Sequence, residues 1–496
     1  MNTSLVLTFT LLLSLQNAKP EPLPLVSMIP NGYREEVYKA ESQLGFVAVS
    51  SQPIEKNGKK IGTRLQKETN LTLQRFGSIV SLRMIESQEM DLIGTVQRIS
   101  MKQFQGPKQT LELSGLRDGT TFRIWVENNS ERTIPWDIDG FGPLGKEQMI
   151  SGKKWTHDEH LQFDCYQALV NRFVTYDVVA TKKTANDSKD PVAWTVLMSP
   201  KKIIAGNLSL QLPKTLYFLD QNQKVLFSET EMDGIGDISL VRSKSAFVPN
   251  RSPKQMFDIG KASFIPINRR LPAARSSLST SYLITVLGLK GENPLVEDER
   301  QKIVKKTNDA FMLEVRAFRL PDDVPASVAP SAEEMAPSKY IDWDNPAIKN
   351  YSREVNFLEI DPWRKAVLLE RLVRRRIMFD NQAPFTCASE IAKNPRGDCR
   401  HAAILLAALC RSEGIPSRIA HGLLYVEKNG EPMFGFHMWT EAHVRGRWVA
   451  LDGTMGFGFV GADHIKISHH TYNEIESLAP IASLQNFIGK AKIQVD

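Results

Sequence analysis

Cysteine is scarce in this chain, and the residue pairs that usually bind metal ions are missing. Only four cysteines occur among 496 residues, and none belongs to a Cys-x-x-Cys pair. No His-Glu-x-x-His run and no EF-hand-type calcium loop occurs either, so the sequence predicts no metal centre. Cys165 and Cys387 would be able to pair in an oxidising compartment, but we expect no structural disulfide.

Charge of one sign is not concentrated anywhere in the sequence. The net charge is +6, from 62 Lys and Arg against 56 Asp and Glu. The densest basic run, Arg371 with Arg374 to Arg376, lies on a predicted helix from Trp363 to Met378, where a solvated face is the simpler interpretation. Nucleic-acid binding normally needs a dense basic face, so we expect no nucleic-acid partner. The sequence leaves the oligomeric state open.

Long hydrophobic runs are also missing. The most apolar stretch, SLVLTFTLLLSL from Ser4 to Leu15, is too short to span a bilayer but suits the apolar region of a signal peptide. The sequence therefore predicts no stable membrane span. It predicts a signal peptide over residues 1–18, cleaved after Ala18, and a location that is secreted, periplasmic or in the cell envelope.

The chain does contain a cysteine at the start of an apolar helix, in GDCRHAAILLAALCRSEGIPSR. Asp398 is a good N-cap, and Gly414 followed by Pro416 is a common helix stop. Cys399 therefore lies in the first turn, where unpaired N–H groups and the helix dipole favour an anion such as a thiolate. A small buried cysteine is the alternative for this residue taken alone.

A catalytic thiolate needs a base and a group that orients the base. Downstream, FGFHMWTEAHVRGRWVALDGT predicts a β-hairpin with a two-residue turn at Arg445 and Gly446. In that register His437 and Asp452 lie on one face as diagonal neighbours, about 7–8 Å apart at the backbone. Asp452 would orient the His437 ring while the other ring nitrogen faces Cys399. A shift of one residue in the turn would put the two on opposite faces.

Together these motifs resemble the transglutaminase-like superfamily. GDC before an apolar helix, GIPSR, HMWTEAHV and RWVALDGT match the superfamily's Gly-x-Cys, Gly-Ile-Pro-x-Arg, His-x-Trp-x-Glu and Trp-x-x-x-Asp motifs. Exported bacterial members often have GDC-x-x-HA, whereas GDCRHAA here moves His401 one place earlier. The resemblance covers roughly residues 345 to 470. It implies an α+β, papain-like cysteine-peptidase fold and a catalytic triad of Cys399, His437 and Asp452.

The chemistry implied by the resemblance is acyl transfer on protein or peptide amides. Cys399 would form a thioester, and no cofactor is required. An amine acceptor would give transamidation, whereas water would give proteolysis or deamidation, and the motifs do not choose between them. A strict cysteine protease or amidase is one alternative. A non-catalytic envelope binding or scaffold protein is the other.

Residues near these motifs have simpler interpretations. Trp439 shares the face of His437, where it either shields the site or fills the core. We expect structural hydrogen bonding for Glu441 and helix packing for His401. A further group of possible metal ligands lies nearby in the sequence: Asp463, His464, His469 and His470. We expect no metal site there, because the group lacks the spacing of zinc ligands.

The remainder of the chain is predicted to be rich in β-strands. Alternating apolar runs predict an antiparallel sheet or sandwich in a domain at 19–250, including a hairpin with a four-residue loop at 221–224. A second β-rich segment at 251–320 and an extended, exposed Pro-rich linker at 321–340 follow. The transglutaminase-like domain would occupy 341–496, so that the fold class is α+β with a β-rich antiparallel N-terminal region.

Overall fold

The structure is a computed structural model that describes most of the chain. The described residues are 32–106, 108–126, 130–136, 140–183, 190–205, 208–231, 236–243, 256–288, 294–354, 361–381, 383–472 and 487–496. The signal peptide predicted at 1–18 lies outside them. Across these ranges no helix is long and apolar enough to cross a membrane.

The chain divides into two compact units, the first ending at Ile259 and the second beginning at Gly260. The helices of the described residues are α1 (Gly145–Gly152), α2 (Ile259–Ala262), α3 (Pro346–Ser352), α4 (Pro362–Arg376), α5 (Ala388–Lys393) and α6 (Cys399–Ser412). The strands of the first unit are β1 (Tyr33–Lys39), β2 (Ser42–Lys56), β3 (Lys59–Arg75), β4 (Ser78–Asp91), β5 (Val96–Gln105), β6 (Lys108–Asp118), β7 (Thr121–Val126), β8 (Ser130–Pro135), β9 (Glu159–Gln167), β10 (Arg172–Lys182), β11 (Trp194–Pro200), β12 (Ile203–Ala205), β13 (Leu208–Leu210), β14 (Thr215–Leu219), β15 (Val225–Thr230) and β16 (Ile238–Arg242). Those of the second are β17 (Ile265–Pro266), β18 (Ser279–Val286), β19 (Gln301–Lys306), β20 (Ala310–Arg316), β21 (Met378–Phe379), β22 (Arg396–Gly397), β23 (Ser417–Lys428), β24 (Glu431–Val444), β25 (Arg447–Leu451), β26 (His464–His470) and β27 (Ala491–Val495).

The first unit is built on a 14-stranded sheet in the order β8-β7-β6-β5-β4-β3-β2-β1-β16-β15-β14-β11-β10-β9. Successive long strands pair as antiparallel hairpins, and along β4 buried and partly buried residues alternate, as a half-buried strand requires. The predicted antiparallel architecture is confirmed. The predicted hairpin around 221–224 is formed, but its loop covers residues 220–224 and is one residue longer than predicted, since Leu219 pairs with Val225.

In the second unit, four helices pack with an antiparallel sheet in the order β17-β24-β23-β26, and β25 pairs with β24. Helix α6 is buried along its length from Arg400 to Arg411, as its apolar sequence predicts. A cluster of buried apolar residues joins α6 to α4 and to strands β24 and β25. The α+β class of this unit agrees with the sequence-based prediction.

Two segments differ from the domain division drawn from the sequence. Strands β18 to β20, in the predicted segment 251–320, form a sheet with β27 and therefore belong to the second unit. Residues 321–340 are largely exposed, as predicted, but they are attached to the second unit, because Val324 is buried in the core and the Trp448 indole donates to the Val328 carbonyl oxygen at 3.1 Å. Local composition missed both features, because each depends on partners more than 100 residues away.

Candidate active site

The start of α6 holds Cys399 at a fixed and partly exposed position. The Asp398 side chain accepts from the Arg400 backbone N–H at 3.1 Å, which confirms the predicted N-cap. The His401 ring lies behind the cap, with Nδ1 3.2 Å from the Asp398 backbone nitrogen and Nε2 3.0 Å from the Pro384 carbonyl oxygen. His401 thus forms part of the N-terminal cap of α6, which agrees with the helix-packing role expected for it.

The other cysteines have different surroundings. Cys165 and Cys410 are fully buried, and burial raises the pKa of the first thiol to about 11 and of the second to about 12. Cys387 is partly exposed at the N-terminus of α5, with its sulfur 3.4 Å from the Ser389 hydroxyl. All four cysteines are free thiols.

The hairpin of β24 and β25 has the register that the sequence predicts. Val444 pairs with Arg447 and Thr440 with Leu451, so the turn consists of two residues. Those residues, Arg445 and Gly446, both have positive φ, 51° and 75°, which is the geometry of a type I′ turn. The right-handed twist of the strands favours that turn, and it fixes which side chains of the hairpin share a face.

This register brings His437 of β24 next to Asp452, the residue that follows β25. His437 Nε2 lies 2.8 Å from Asp452 Oδ2, and because an ionised carboxylate only accepts, the ring N–H donates. A hydrogen bond with Cys399 and the charge of Cys399 also act on this ring and raise its pKa, and Nδ1 is the ring nitrogen that the contact with Asp452 leaves available. The structure therefore brings together the three residues singled out in the sequence.

The electrostatics of this group favour a charged imidazole. Burial lowers the pKa of His437, but the charges of Asp452 and Cys399 and their hydrogen bonds raise it by more, to about 10. Burial raises the pKa of Asp452, and the hydrogen bonds and charges of His437 and His464 reverse this, holding that pKa well below its usual range. At neutral pH the geometry thus favours an imidazolium hydrogen-bonded to a carboxylate.

Asp452 is held from several directions. Its Oδ1 accepts from the Thr454 backbone N–H at 2.8 Å and from the Thr454 hydroxyl at 2.6 Å. Its own backbone N–H donates at 2.9 Å to Glu370 Oε1, while Glu370 Oε2 accepts from the Gly458 backbone N–H at 2.7 Å. A second imidazole also approaches, because His464 Nε2 lies 3.4 Å from Asp452 Oδ2.

Glu370 and His464 are the site residues that sequence reasoning missed. Glu370 had a detectable signal, since it is an acid on the buried face of α4, one helical turn from Ala366 and Val373. Burial raises the pKa of Glu370 to about 8. His464 was noticed only as one of a group of histidines without zinc-site spacing, and nothing local to it predicts a contact with Asp452.

Trp439 packs against the histidine rings of the site, and Glu441 forms structural hydrogen bonds, as considered from the sequence. The Trp439 ring is fully buried, stacks on the His437 ring at a centroid distance of 6.4 Å and meets the His464 ring edge-on at 5.3 Å. Glu441 accepts from Lys466 Nζ at 2.7 and 2.8 Å and from Arg418 Nε at 2.7 Å. Burial raises the pKa of Glu441, but these two cations hold it far below its usual range.

A group able to bind a metal ion does occur within the described ranges. One ligand atom from each of His437, Asp452 and His464 lies within 4.8 Å of the others, and all three residues are buried. Of the neighbours considered in the sequence and not expected to bind metal, Asp463, His464, His469 and His470, only His464 belongs to this group. The prediction that the protein needs no metal stays a prediction.

Comparison with protein-family models matches residues 349–453 to the transglutaminase-like superfamily. The matched segment contains Cys399, His437 and Asp452, and the second unit therefore contains a transglutaminase-like domain. No curated protein matches the chain.

Several solved structures show distant likeness to this chain. A candidate cysteine protease from Cytophaga hutchinsonii is 17% identical over 44% of this chain and 81% of its own, with a TM-score of 0.29. A beta-barrel-like protein from Brucella abortus is 14% identical over 44% of this chain and 98% of its own, with a TM-score of 0.32. A candidate protease from Parabacteroides distasonis is 11% identical over 78% of this chain and 66% of its own, with a TM-score of 0.18. Such low TM-scores carry no argument about function.

Proposed function

We propose that the second unit is a transglutaminase-like cysteine enzyme that acts on protein or peptide amides through a thioester on Cys399. The observation that carries this proposal is the hydrogen-bonded row in which the His437 ring lies between the Cys399 thiol and the Asp452 carboxylate. Nucleophile, base and orienting group are the three parts that acyl transfer by a thiol requires. Cys399 is also the partly exposed member of the row, and a substrate needs that access.

In the first half-reaction, the Cys399 sulfur attacks the amide carbonyl carbon and forms a C–S bond. The Cys399 backbone N–H, at the first position of α6, has no acceptor within the helix and is placed to donate to the oxyanion. His437 Nδ1–H gives its proton to the amide nitrogen, the C–N bond breaks, and the amine leaves. Asp452 keeps the ring oriented and stabilises its charged form before that transfer.

In the second half-reaction, neutral His437 takes a proton from the acceptor as the acceptor attacks the thioester carbonyl. The C–S bond breaks and the Cys399 thiolate is restored beside the imidazolium. A primary amine as acceptor makes a new amide, whereas water makes a carboxylate. The protein residues do the same work in both cases, so the acceptor determines whether the outcome is transamidation or hydrolysis. With water as acceptor, attack on a glutamine side-chain amide gives deamidation and attack on a peptide bond gives proteolysis.

The test offers the full-length protein a glutamine-bearing protein together with a fluorescent primary amine, and mass spectrometry reads the products. Incorporated amine indicates transamidation, a mass gain at glutamine without amine indicates deamidation, and new peptide termini indicate proteolysis. Cys399→Ala should abolish each of them. Cys387→Ser, which removes the other partly exposed thiol, is the matched control and should keep activity.

The proposal fails if wild-type protein and Cys399→Ala give the same products, or if neither modifies any of a panel of proteins and peptides. The second result would favour a binding or scaffold role. We also propose the secreted or envelope location that the first 18 residues suggest. Mass spectrometry of the mature N-terminus tests it directly, because cleavage would leave residue 19 first.

A further inference from the structure

One oxygen of the Asp452 carboxylate lies between two imidazole rings. Asp452 Oδ1 accepts two hydrogen bonds from Thr454, whereas Oδ2 lies 2.8 Å from His437 Nε2 and 3.4 Å from His464 Nε2. One ligand atom from each of Asp452, His437 and His464 lies within 4.8 Å of the others, and the three residues are buried. In the part of the chain that the structure describes, Asp452 forms ion pairs with these two histidines and with no lysine or arginine. Imidazole nitrogen and carboxylate oxygen are both ordinary zinc ligands.

The His464 ring is oriented towards Asp452 by a second carboxylate. Its Nδ1 lies 2.7 Å from Asp463 Oδ1, and Arg275 pairs with the other oxygen of Asp463. Because an ionised carboxylate only accepts hydrogen bonds, Nδ1 carries the hydrogen, and in the neutral ring the Nε2 lone pair then faces Asp452 Oδ2. A cation between these two atoms, either a proton or a metal ion, removes the repulsion between them. A carboxylate at the far nitrogen is also the usual outer partner of a metal-bound histidine.

The distances between the ligand atoms suit a four-coordinate zinc ion. Bonds of about 2.0–2.2 Å put neighbouring ligand atoms of a tetrahedral site roughly 3.3–3.6 Å apart. Asp452 Oδ2 and His464 Nε2 already have this separation, at 3.4 Å. The contact of Oδ2 with His437 Nε2 is shorter, at 2.8 Å, so the His437 ring has to move outward by about half an ångström when an ion replaces the shared proton. Three protein ligands leave a fourth position for water.

Other groups close to these three residues have partners of their own. Both carboxylate oxygens of Glu370 accept backbone N–H groups, one from Asp452 and one from Gly458. The Cys399 sulfur does not belong to the group of neighbouring ligand atoms. The candidate ligands are therefore two histidines and one aspartate, with Asp463 holding the second histidine from behind.

We propose that His437, Asp452 and His464 form a zinc-binding site, and that Zn²⁺ bound there inhibits the enzyme. The binding stands by itself, whereas the inhibition rests on the proposed function. Acyl transfer needs the His437 ring oriented by Asp452 through the hydrogen bond from Nε2 to Oδ2. Zn²⁺ takes the same nitrogen and the same oxygen, so the ion and that hydrogen bond exclude each other. His464 gives the ion a ligand that the triad itself does not require.

The experiment measures Zn²⁺ binding to the untagged full-length protein, after a chelator has removed bound metal, by competition with a coloured zinc indicator. Loss of the outer carboxylate in Asp463→Asn should weaken binding by about 10–100-fold, and loss of a ligand in His464→Gln should weaken it by at least as much. His470→Gln removes another buried histidine of β26 and is the matched control. It should bind Zn²⁺ as the wild type does, and so should Cys399→Ala.

Cobalt in place of zinc gives a readout that needs no change in the ligands. Nitrogen and oxygen ligands give Co²⁺ its visible bands alone, whereas a bound thiolate adds a strong charge-transfer band in the near ultraviolet. We expect the visible bands without the charge-transfer band. A charge-transfer band that Cys399→Ala abolishes would put the ion on the nucleophile and overturn the inference, even if the variants of the site do not fold. Wild-type affinity in both His464→Gln and Asp463→Asn would overturn it as well, and so would a wild type that binds no Zn²⁺.

The outcome for the proposed function is separate. Incorporation of the fluorescent amine, or release of the hydrolysis products, should fall as Zn²⁺ fills the site and return when the chelator is added. A protein that is inactive with and without the chelator would overturn the proposed function, while the binding measurements would still decide the zinc site. Full activity of the zinc-loaded wild type would overturn the inhibition and leave the proposed function intact.

Discussion

Replacement of Glu370 by glutamine tests how burial changes the pKa of this carboxyl group next to the site, and the measured quantity is the free energy of unfolding. Glu370 has no exposed surface, and both of its oxygens accept backbone N–H groups that fix the segment after β25. Burial raises its pKa from 4.5 to about 8, because desolvation disfavours the charged form more than the two hydrogen bonds favour it. The folded protein therefore binds this proton more tightly than the unfolded chain does.

The sign of the pH dependence follows from that raised pKa. The stability that Glu370 contributes is fully present below pH 4.5 and is lost as the pH rises to about 8, because the unfolded chain ionises first. Each pKa unit is worth about 1.4 kcal/mol, so the loss across this window has an upper bound of roughly 5 kcal/mol. Glutamine does not titrate, so the Glu370→Gln variant does not lose this contribution to stability as the pH rises. At low pH, however, it costs about 1–3 kcal/mol, because its amide NH₂ faces one backbone N–H.

The assay is urea unfolding of the wild type and the variant at pH 5, 6, 7 and 8. We expect Glu370→Gln to have a lower free energy of unfolding than the wild type at pH 5. The difference should change steadily in favour of the variant up to pH 8. Arg375→Gln, on the exposed side of the same helix, is the control, since guanidinium groups keep their charge over this range. A stability difference between Glu370→Gln and the wild type that is constant from pH 5 to 8 would refute the reasoning.

Three further predictions address the site and its support. Asp452→Asn removes the carboxylate that holds the His437 proton, so the pKa of His437 should fall and iodoacetate labelling of Cys399 at pH 8 should slow by at least about tenfold; an unchanged rate would contradict the contact. Gly397→Ala should destabilise the fold by roughly 2–4 kcal/mol in urea unfolding, because the added Cβ would lie 2.2 Å from the His401 ring. The control is Gly414→Ala, where the added Cβ would meet open space, and it should cost about 1 kcal/mol. Lys466→Met removes one of the two cations that contact the buried Glu441 carboxylate and should cost about 3–5 kcal/mol; a loss below about 1 kcal/mol in urea unfolding would contradict this account.

The parts of the site that could be predicted from the sequence are those set by local rules. The N-cap at Asp398 and the stop at Gly414 define α6, and each is a property of a few adjacent residues. The Arg445–Gly446 turn fixes the hairpin register, and that register alone determines that His437 and Asp452 share a face. The segment from His437 to Asp452, two residues 15 positions apart, therefore carried enough information to predict this contact.

The parts that could not be predicted depend on long-range pairing. Glu370 reaches the Asp452 backbone from a helix 82 positions earlier, and its role follows only from how α4 packs on the hairpin. His464 reaches Asp452 because β26 pairs with β23 rather than with its nearer neighbour β25. The sheet that joins β18 to β27 is missed for the same reason, since no local periodicity specifies a partner strand two hundred residues away.

The most direct measurement of the central claim is the rate at which Cys399 reacts with iodoacetamide at pH 7, with Cys387 of the same molecule as the internal standard. The catalytic arrangement proposed for Cys399 and His437 predicts that Cys399 is labelled at least about tenfold faster than Cys387, and that His437→Ala removes the advantage. Equal labelling of the two thiols in the wild type, or an advantage that survives His437→Ala, would contradict the claim that these residues form a working nucleophile.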